Sequence, residues 1–225
     1  MVDLAPLWIS LKLAGVTTLV LLLLGSPLAW VLAQSRGRWK PVVEAITALP
    51  LVLPPTVLGF YLLVILSPAA PFGGVWRDVT GSSLTFSFTG LVVASVLYSL
   101  PFMVQPLQSA FETLGRGPLE AAASLRAGPW DTFVNVVLPL SLRGYLTATV
   151  LTFAHTIGEF GVVLMVGGNI PGRTKVISIA IFEHVETIDY AQAHLLSGGL
   201  LVFSFLILLL VYTLNRRFPV HLGRL

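Results

Sequence analysis

The chain has 225 residues, no cysteine, and 13 basic against 10 acidic side chains. Charged residues make up 10% and apolar residues 56%, with a mean hydropathy of +0.90, whereas a soluble domain carries roughly 25% charged residues. These figures exclude a soluble enzyme, a disordered chain, a disulfide framework and thiolate metal sites, and leave an all-α polytopic membrane protein.

A membrane helix needs about 20 mainly apolar residues. The first predicted span is Leu11 to Ala33. Asp3 is the only charge before Lys12, so the basic opening of a signal peptide is missing and the helix is read as retained. Lys12 can snorkel to an interface. The second span, Ala45 to Leu66, holds Pro50, Pro54 and Pro55, which predict a kink or break. The third is Phe86 to Leu107, with Pro101 and Pro106 near its end. The fourth runs from Leu140 to Val166 and carries His155 and Glu159; the fifth is Leu195 to Leu214. Lys175 to Asp189 is a further helix, too short and too charged to span.

Basic residues fix the orientation. Arg36, Arg38 and Lys40 lie between spans one and two, and Arg116 and Arg126 between three and four, with Arg143 near the start of span four. Arg216, Arg217 and Arg224 follow span five. Short loops rich in Lys and Arg stay inside, so five spans place the N-terminus outside and the C-terminus inside. A sixth, re-entrant element would disturb that count. The same residues follow topology rather than forming a nucleic-acid stripe.

The joint at residues 108–139 is the informative one. Helix formers cluster from Leu119 to Ala127, Pro118 fits a first turn, and Gly128-Pro129 stops the helix. Trp130 and Phe133 follow as bulky anchors. Small side chains at Ala121 and Ala122 suit either a docking element or a helix lying on headgroups.

Glu120-Ala121-Ala122, then Gly128 eight residues after the glutamate, then Leu138-Pro139, resembles the EAA loop of bacterial ABC importer permeases. Two further stretches are similar to the molybdate permease branch of that family. They are Thr156-Ile-Gly-Glu-Phe-Gly161 with Gly168-Asn-Ile-Pro-Gly-Arg-Thr174, and Leu51-Val-Leu-Pro-Pro-Thr-Val-Leu-Gly59. Sulfate and thiosulfate permeases share parts of these patterns. Arg143 departs from the pattern, standing where many relatives are uncharged.

The resemblance implies a type I ABC importer permease fold, one transmembrane domain over residues 1–225, in a bacterial or archaeal cytoplasmic membrane. It implies that Glu120 contacts the ATPase, that Ala121 and Ala122 allow the fit, that Gly128 turns the chain out of the helix, and that Pro139 starts its return. It further implies a second copy of the chain, two ATP-binding cassette subunits holding ATP and Mg, and a periplasmic or extracellular oxyanion-binding protein. No cofactor belongs to this chain, which has no Gly-rich phosphate loop ending in Gly-Lys-Ser/Thr and is not an enzyme.

His155 and Glu159 are four apart, which predicts one helix face. They either line the translocation path or brace the fourth span; one His and one Glu are too few for a metal. Gly158 with its neighbouring glycines permits close packing or a bend. Pro54 and Pro55 either expose backbone dipoles to an anion or form a packed kink. Thr56, Ser95, Tyr98 and Ser99 offer hydroxyls to the same path, or bond their own backbone. Asn169, Arg173 and Lys175 mark a candidate external mouth attractive to oxyanions, or an ordinary solvated turn. Two readings of other classes stand beside the importer: an ion-coupled secondary carrier with His155 and Glu159 as its relay, and a structural membrane scaffold.

Overall fold

The computed structural model describes residues 3–217; Arg224 of the basic tail lies outside the described residues. Within them the regular structure is helical throughout. Helix α1 spans Ala5–Gln34, with Pro6 in its first turn, where a missing N–H leaves no bond unmade. Helices α2 (Lys40–Val52) and α3 (Pro55–Leu66) meet at 112°. The cause is local. A residue before proline is driven out of the helical region, and Leu53 and Pro54, each followed by proline, are extended with ψ of 135° and 134°. The broken second span expected from the proline cluster is therefore a sharp corner.

Helix α4 (Pro71–Thr80) is short and ends on Gly81, which takes a φ of 70°. Helix α5 (Phe88–Leu114) runs past Pro101 and Pro106 and so extends beyond the predicted Leu107. Ser87 caps it, accepting the Gly90 N–H at 3.1 Å. Helix α6 (Gly117–Ser124) lies in the joint. Helix α7 (Pro129–Thr132), a π-turn at Phe133–Val137 and helix α8 (Leu138–Leu140) then run into α9 (Leu142–Gly158) through a 73° bend. Pro139 explains the π-turn: its ring clashes with the carbonyl four residues back, and a widened turn relieves this.

The predicted fourth span, Leu140 to Val166, does not continue as one helix. It stops at Gly158, Glu159 is extended, and α10 (Gly161–Gly167) begins anew. Helix α11 (Ile177–Glu186) lies within the predicted Lys175–Asp189 segment, and α12 (Tyr190–Arg217) carries the fifth span. Among the described residues, three helices are long and apolar enough to cross a membrane, and five crossings result if each bent pair counts as one.

Lipid is as apolar as leucine, so spans hold together by close packing. Leu21 and Leu32 of α1 meet Met103, Leu107 and Phe111 of α5, with Val137 and Ala148 completing the cluster. Trp30 sets its edge on Phe111 at 5.2 Å. Gly144 lets α9 approach α5, since a Cβ there would fall 2.3 Å from the Ala110 Cβ. Gly59 does the same for α3 and α10, where a Cβ would lie 3.2 Å from the Val162 Cα. Helix α12 exposes most of its apolar length, including Leu201, Phe205 and Leu209.

Candidate functional site

Two helix breaks meet. The start of α3 and the start of α10 are in contact, with a Cβ at Gly161 falling 2.8 Å from the Pro55 Cβ. Between them and α5 lies a cavity of about 540 Å³ lined by Pro55, Thr56, Tyr98, His155, Gly158 and Glu159, among others. Ser95 is seven residues into α5, so this level is about 10 Å from that helix's start.

Glu159 is 3% exposed. Its carboxyl Oε2 accepts the Ser95 hydroxyl at 2.5 Å, and its backbone carbonyl accepts the Ser178 hydroxyl from α11. Oε1 is buried with no hydrogen-bond partner among the described residues. His155 Nδ1 lies 2.9 Å from the Ser99 hydroxyl, and Ser99 also bonds Thr156 at 3.0 Å. The imidazole stacks on Phe102 at 3.9 Å and tilts against Tyr98 at 4.8 Å. His155 and Glu159 do not share a helix face by the simple spacing rule, because Glu159 has left the helix. They still reach one neighbour, since Ser95 and Ser99 repeat the spacing of four on antiparallel α5. Pro54 sits at the corner itself, exposed, as the residue before α3.

Sequence reasoning missed Ser178, Phe102 and Thr156. Ser178 belongs to a segment read as a helix too short and too charged to span, and nothing local points it at Glu159. Phe102 and Thr156 lie in apolar stretches where an aromatic or hydroxyl has many ordinary uses.

The segment after α10 is knitted to itself. The Ile170 carbonyl accepts the N–H groups of Arg173, Thr174 and Lys175 at 3.0–3.2 Å. Asn169 donates to Glu183 Oε2 at 2.6 Å, and the Lys175 ammonium reaches the same oxygen at 2.7 Å. Lys175 first, then Asn169, hold the Glu183 carboxyl below its ordinary value of 4.5. Asn169 and Lys175 are thus drawn together, while Arg173 stays exposed. Phe182 packs on Phe160 at 4.9 Å, joining this segment to the Glu159 break.

At the other end, α6 places Glu120 in its first turn, where the helix dipole favours a negative charge. Glu120 and Ala121 are exposed, Leu125 is 84% exposed, and Ala122 turns inward at 6%. Leu119 anchors the helix to the core. Only Ala121 of the alanine pair faces outward; the small size of Ala122 serves packing within the chain. The turn out of the helix also falls earlier than expected. It is made at Leu125 and Arg126, the latter with φ 58°, whereas Gly128 has φ −70° and opens α7. Among the described residues no group of three or more His, Asp or Glu could hold a metal.

An all-helical bundle with two broken spans and a short exposed helix in its basic joint is the architecture of a transport permease. Residues 25–219 match the binding-protein-dependent transport system inner membrane component family, and the chain belongs to it. The chain is 57% identical to a molybdenum transport system permease protein of Azotobacter vinelandii, over 98% of this chain and 97% of that one. It is 36% identical to the corresponding Escherichia coli K12 protein, over 80% and 78% of the two chains. A sulfate transport system permease protein of Escherichia coli K12 is 34% identical over 86% and 70%. In fold, the chain resembles a bacterial ABC transporter that imports alginate (TM-score 0.75, 16% identity, 96% and 79% covered). It also resembles the MetNI methionine ABC transporter (TM-score 0.72, 18% identity, 94% of each chain). The chain is a multi-pass inner membrane component, a permease and not the ATP-hydrolysing part of such a system.

Proposed function

We propose that this chain is the membrane-spanning subunit of an ATP-driven importer for molybdate, with tungstate as a second substrate. The near full-length identity with the Azotobacter molybdenum permease carries this reading. Two copies pair around a central path, since five spans are few to enclose one and two-fold closure is the commonest assembly. Each copy presents Glu120, Ala121 and the adjoining exposed surface of α6 to one ATPase subunit. The N-terminus is outside, the basic joints are inside, and the segment around Asn169, Arg173 and Lys175 meets a loaded binding protein. Pro54, Pro55, Thr56, Tyr98, His155, Gly158 and Glu159 line the path, while Ser95 and Ser99 hold its wall.

Neutral donors such as Thr56 and Tyr98 suit a passage that must release its anion. Closure of the ATPases on ATP moves α6, and rigid α5 carries that displacement to the two breaks. Hydrolysis resets the inward-facing state.

Uptake of radiolabelled molybdate into proteoliposomes holding the permease, its ATPase and its binding protein tests this. ATP-dependent uptake should be blocked by excess tungstate and spared by excess sulfate. The opposite pattern would establish a sulfate permease, the second reading favoured by the Escherichia coli sulfate relative. Uptake driven by an ion gradient without ATP would establish a secondary carrier.

A further inference from the structure

A second large cavity, of about 500 Å³, lies between α1 and the segment that follows α6. Its lining is almost wholly apolar: Leu23, Pro27 and Trp30 from α1, Phe133 and Leu138 from the π-turn region, and Tyr145 from α9. Trp130 stands at its edge, 76% exposed and stacked on Phe133 at 6.1 Å. The transport reading makes no use of it.

Three observations identify its occupant. The first concerns depth. Leu23 to Trp30 belong to a membrane span, so the surrounding solvent at this level is hydrocarbon, and an apolar cavity does not hold water. The second concerns the rim. Exposed tryptophans such as Trp130 settle at headgroup level. The third is charge. Arg126, four residues before Trp130, is exposed and in no ion pair among the described residues, as are Arg36 and Arg38 just beyond α1. Unpaired arginines beside a membrane attract acidic headgroups.

We propose that this cavity binds one acyl chain of an anionic phospholipid of the cytoplasmic leaflet, with the headgroup drawn to Arg126 of the loop that carries α6 and to Arg36 and Arg38 beyond α1. This rests on the inward placement of that loop proposed above, and on nothing about the substrate. Phe133 and Leu138 sit between α6 and α9. A chain wedged there stiffens the connection between α6 and α9.

The test uses the whole permease–ATPase complex and reads lipid directly. By native mass spectrometry after a detergent wash, the unaltered complex should retain one phosphatidylglycerol per permease copy more than Leu23→Trp, whose indole narrows the cavity. Arg126→Gln should lower the preference for phosphatidylglycerol over phosphatidylcholine about fivefold, the weight of one arginine near an acidic surface. Equal retention by an assembled Leu23→Trp complex overturns the proposal.

A gentler variant guards against misfolding. In nanodiscs, phosphatidylglycerol with brominated chains should quench tryptophan fluorescence more than brominated phosphatidylcholine, and Trp30→Phe should reduce that excess, leaving the share that Trp130 contributes. No excess overturns the proposal. So does a disulfide-linked dimer of Leu23→Cys, because the chain has no native cysteine and such a link means that a second copy covers the cavity. Loss of molybdate uptake with lipid retention intact would count against the transport reading alone.

Discussion

Glu159 sits where α9 stops, and hydroxyls from two other helices hold it, Ser95 at the carboxyl and Ser178 at the carbonyl. A buried polar group that loses its partner costs about 1–3 kcal/mol. Ser95→Ala should therefore lower the thermal midpoint of the purified complex and reduce uptake. Glu159→Gln, which keeps an acceptor for Ser95, should lose less stability. Differential scanning fluorimetry beside uptake rates checks both. Ser95, Ser99, His155 and Glu159 were visible in the sequence as intramembrane polar groups. Their pairing was not, because Ser95 and Glu159 lie 64 residues apart and Ser99 and His155 lie 56 apart. A spacing of four describes a continuous helix, and only the fold shows that the helix ends between the two.

Among elements, the coupling segment and the α5–α9 crossing separate two uses of glycine. Gly144 is fixed by contact with Ala110, so Gly144→Leu should overpack the crossing, cost about 1–3 kcal/mol, and lower the melting temperature. Gly128 has an ordinary φ of −70°, and a Cβ there meets nothing within 4 Å. Gly128→Ala should fold normally, with its midpoint unchanged, and show its effect in weaker co-purification of the ATPase. Helix-forming residues and the Gly128-Pro129 stop revealed this short helix in the sequence, yet the turn itself belongs to Arg126. Left-handed backbone usually goes to glycine. At this position the amide of Arg126 bonds the Ala123 carbonyl at 2.9 Å and closes the helix end.

At the scale of the molecule, α5 runs from the level of the cavity to the joint that carries α6. From Ser99 to Leu114, α5 rises about 20 Å, and a continuous, well-packed helix spans that distance although Pro101 and Pro106 lie within it. In the proposed importer, the α2–α3 corner is where displacement becomes opening. Replacing Pro54 and Pro55 together by alanine permits α2 and α3 to join as one helix. Uptake should then fall sharply while the ATPase still co-purifies, because α6 is untouched. Uptake assays paired with pull-down of the ATPase separate these effects.

Membrane residence and helical class followed from the sequence alone, because scarcity of charge and apolar runs of about 20 residues are properties that no partner is needed to express. The basic joints and the EAA-like spacing likewise marked the joint that carries α6, since both are local in the chain. The proline cluster announced a break, because the restriction before proline acts between neighbours. The end of α9 at Gly158 and the meeting of α3 with α10 were decided by tertiary structure. So were the inward turn of Ala122 and the apolar cavity beside α1. Each depends on which surfaces approach closely, and in lipid that is settled by shape and hydrogen bonding between distant segments.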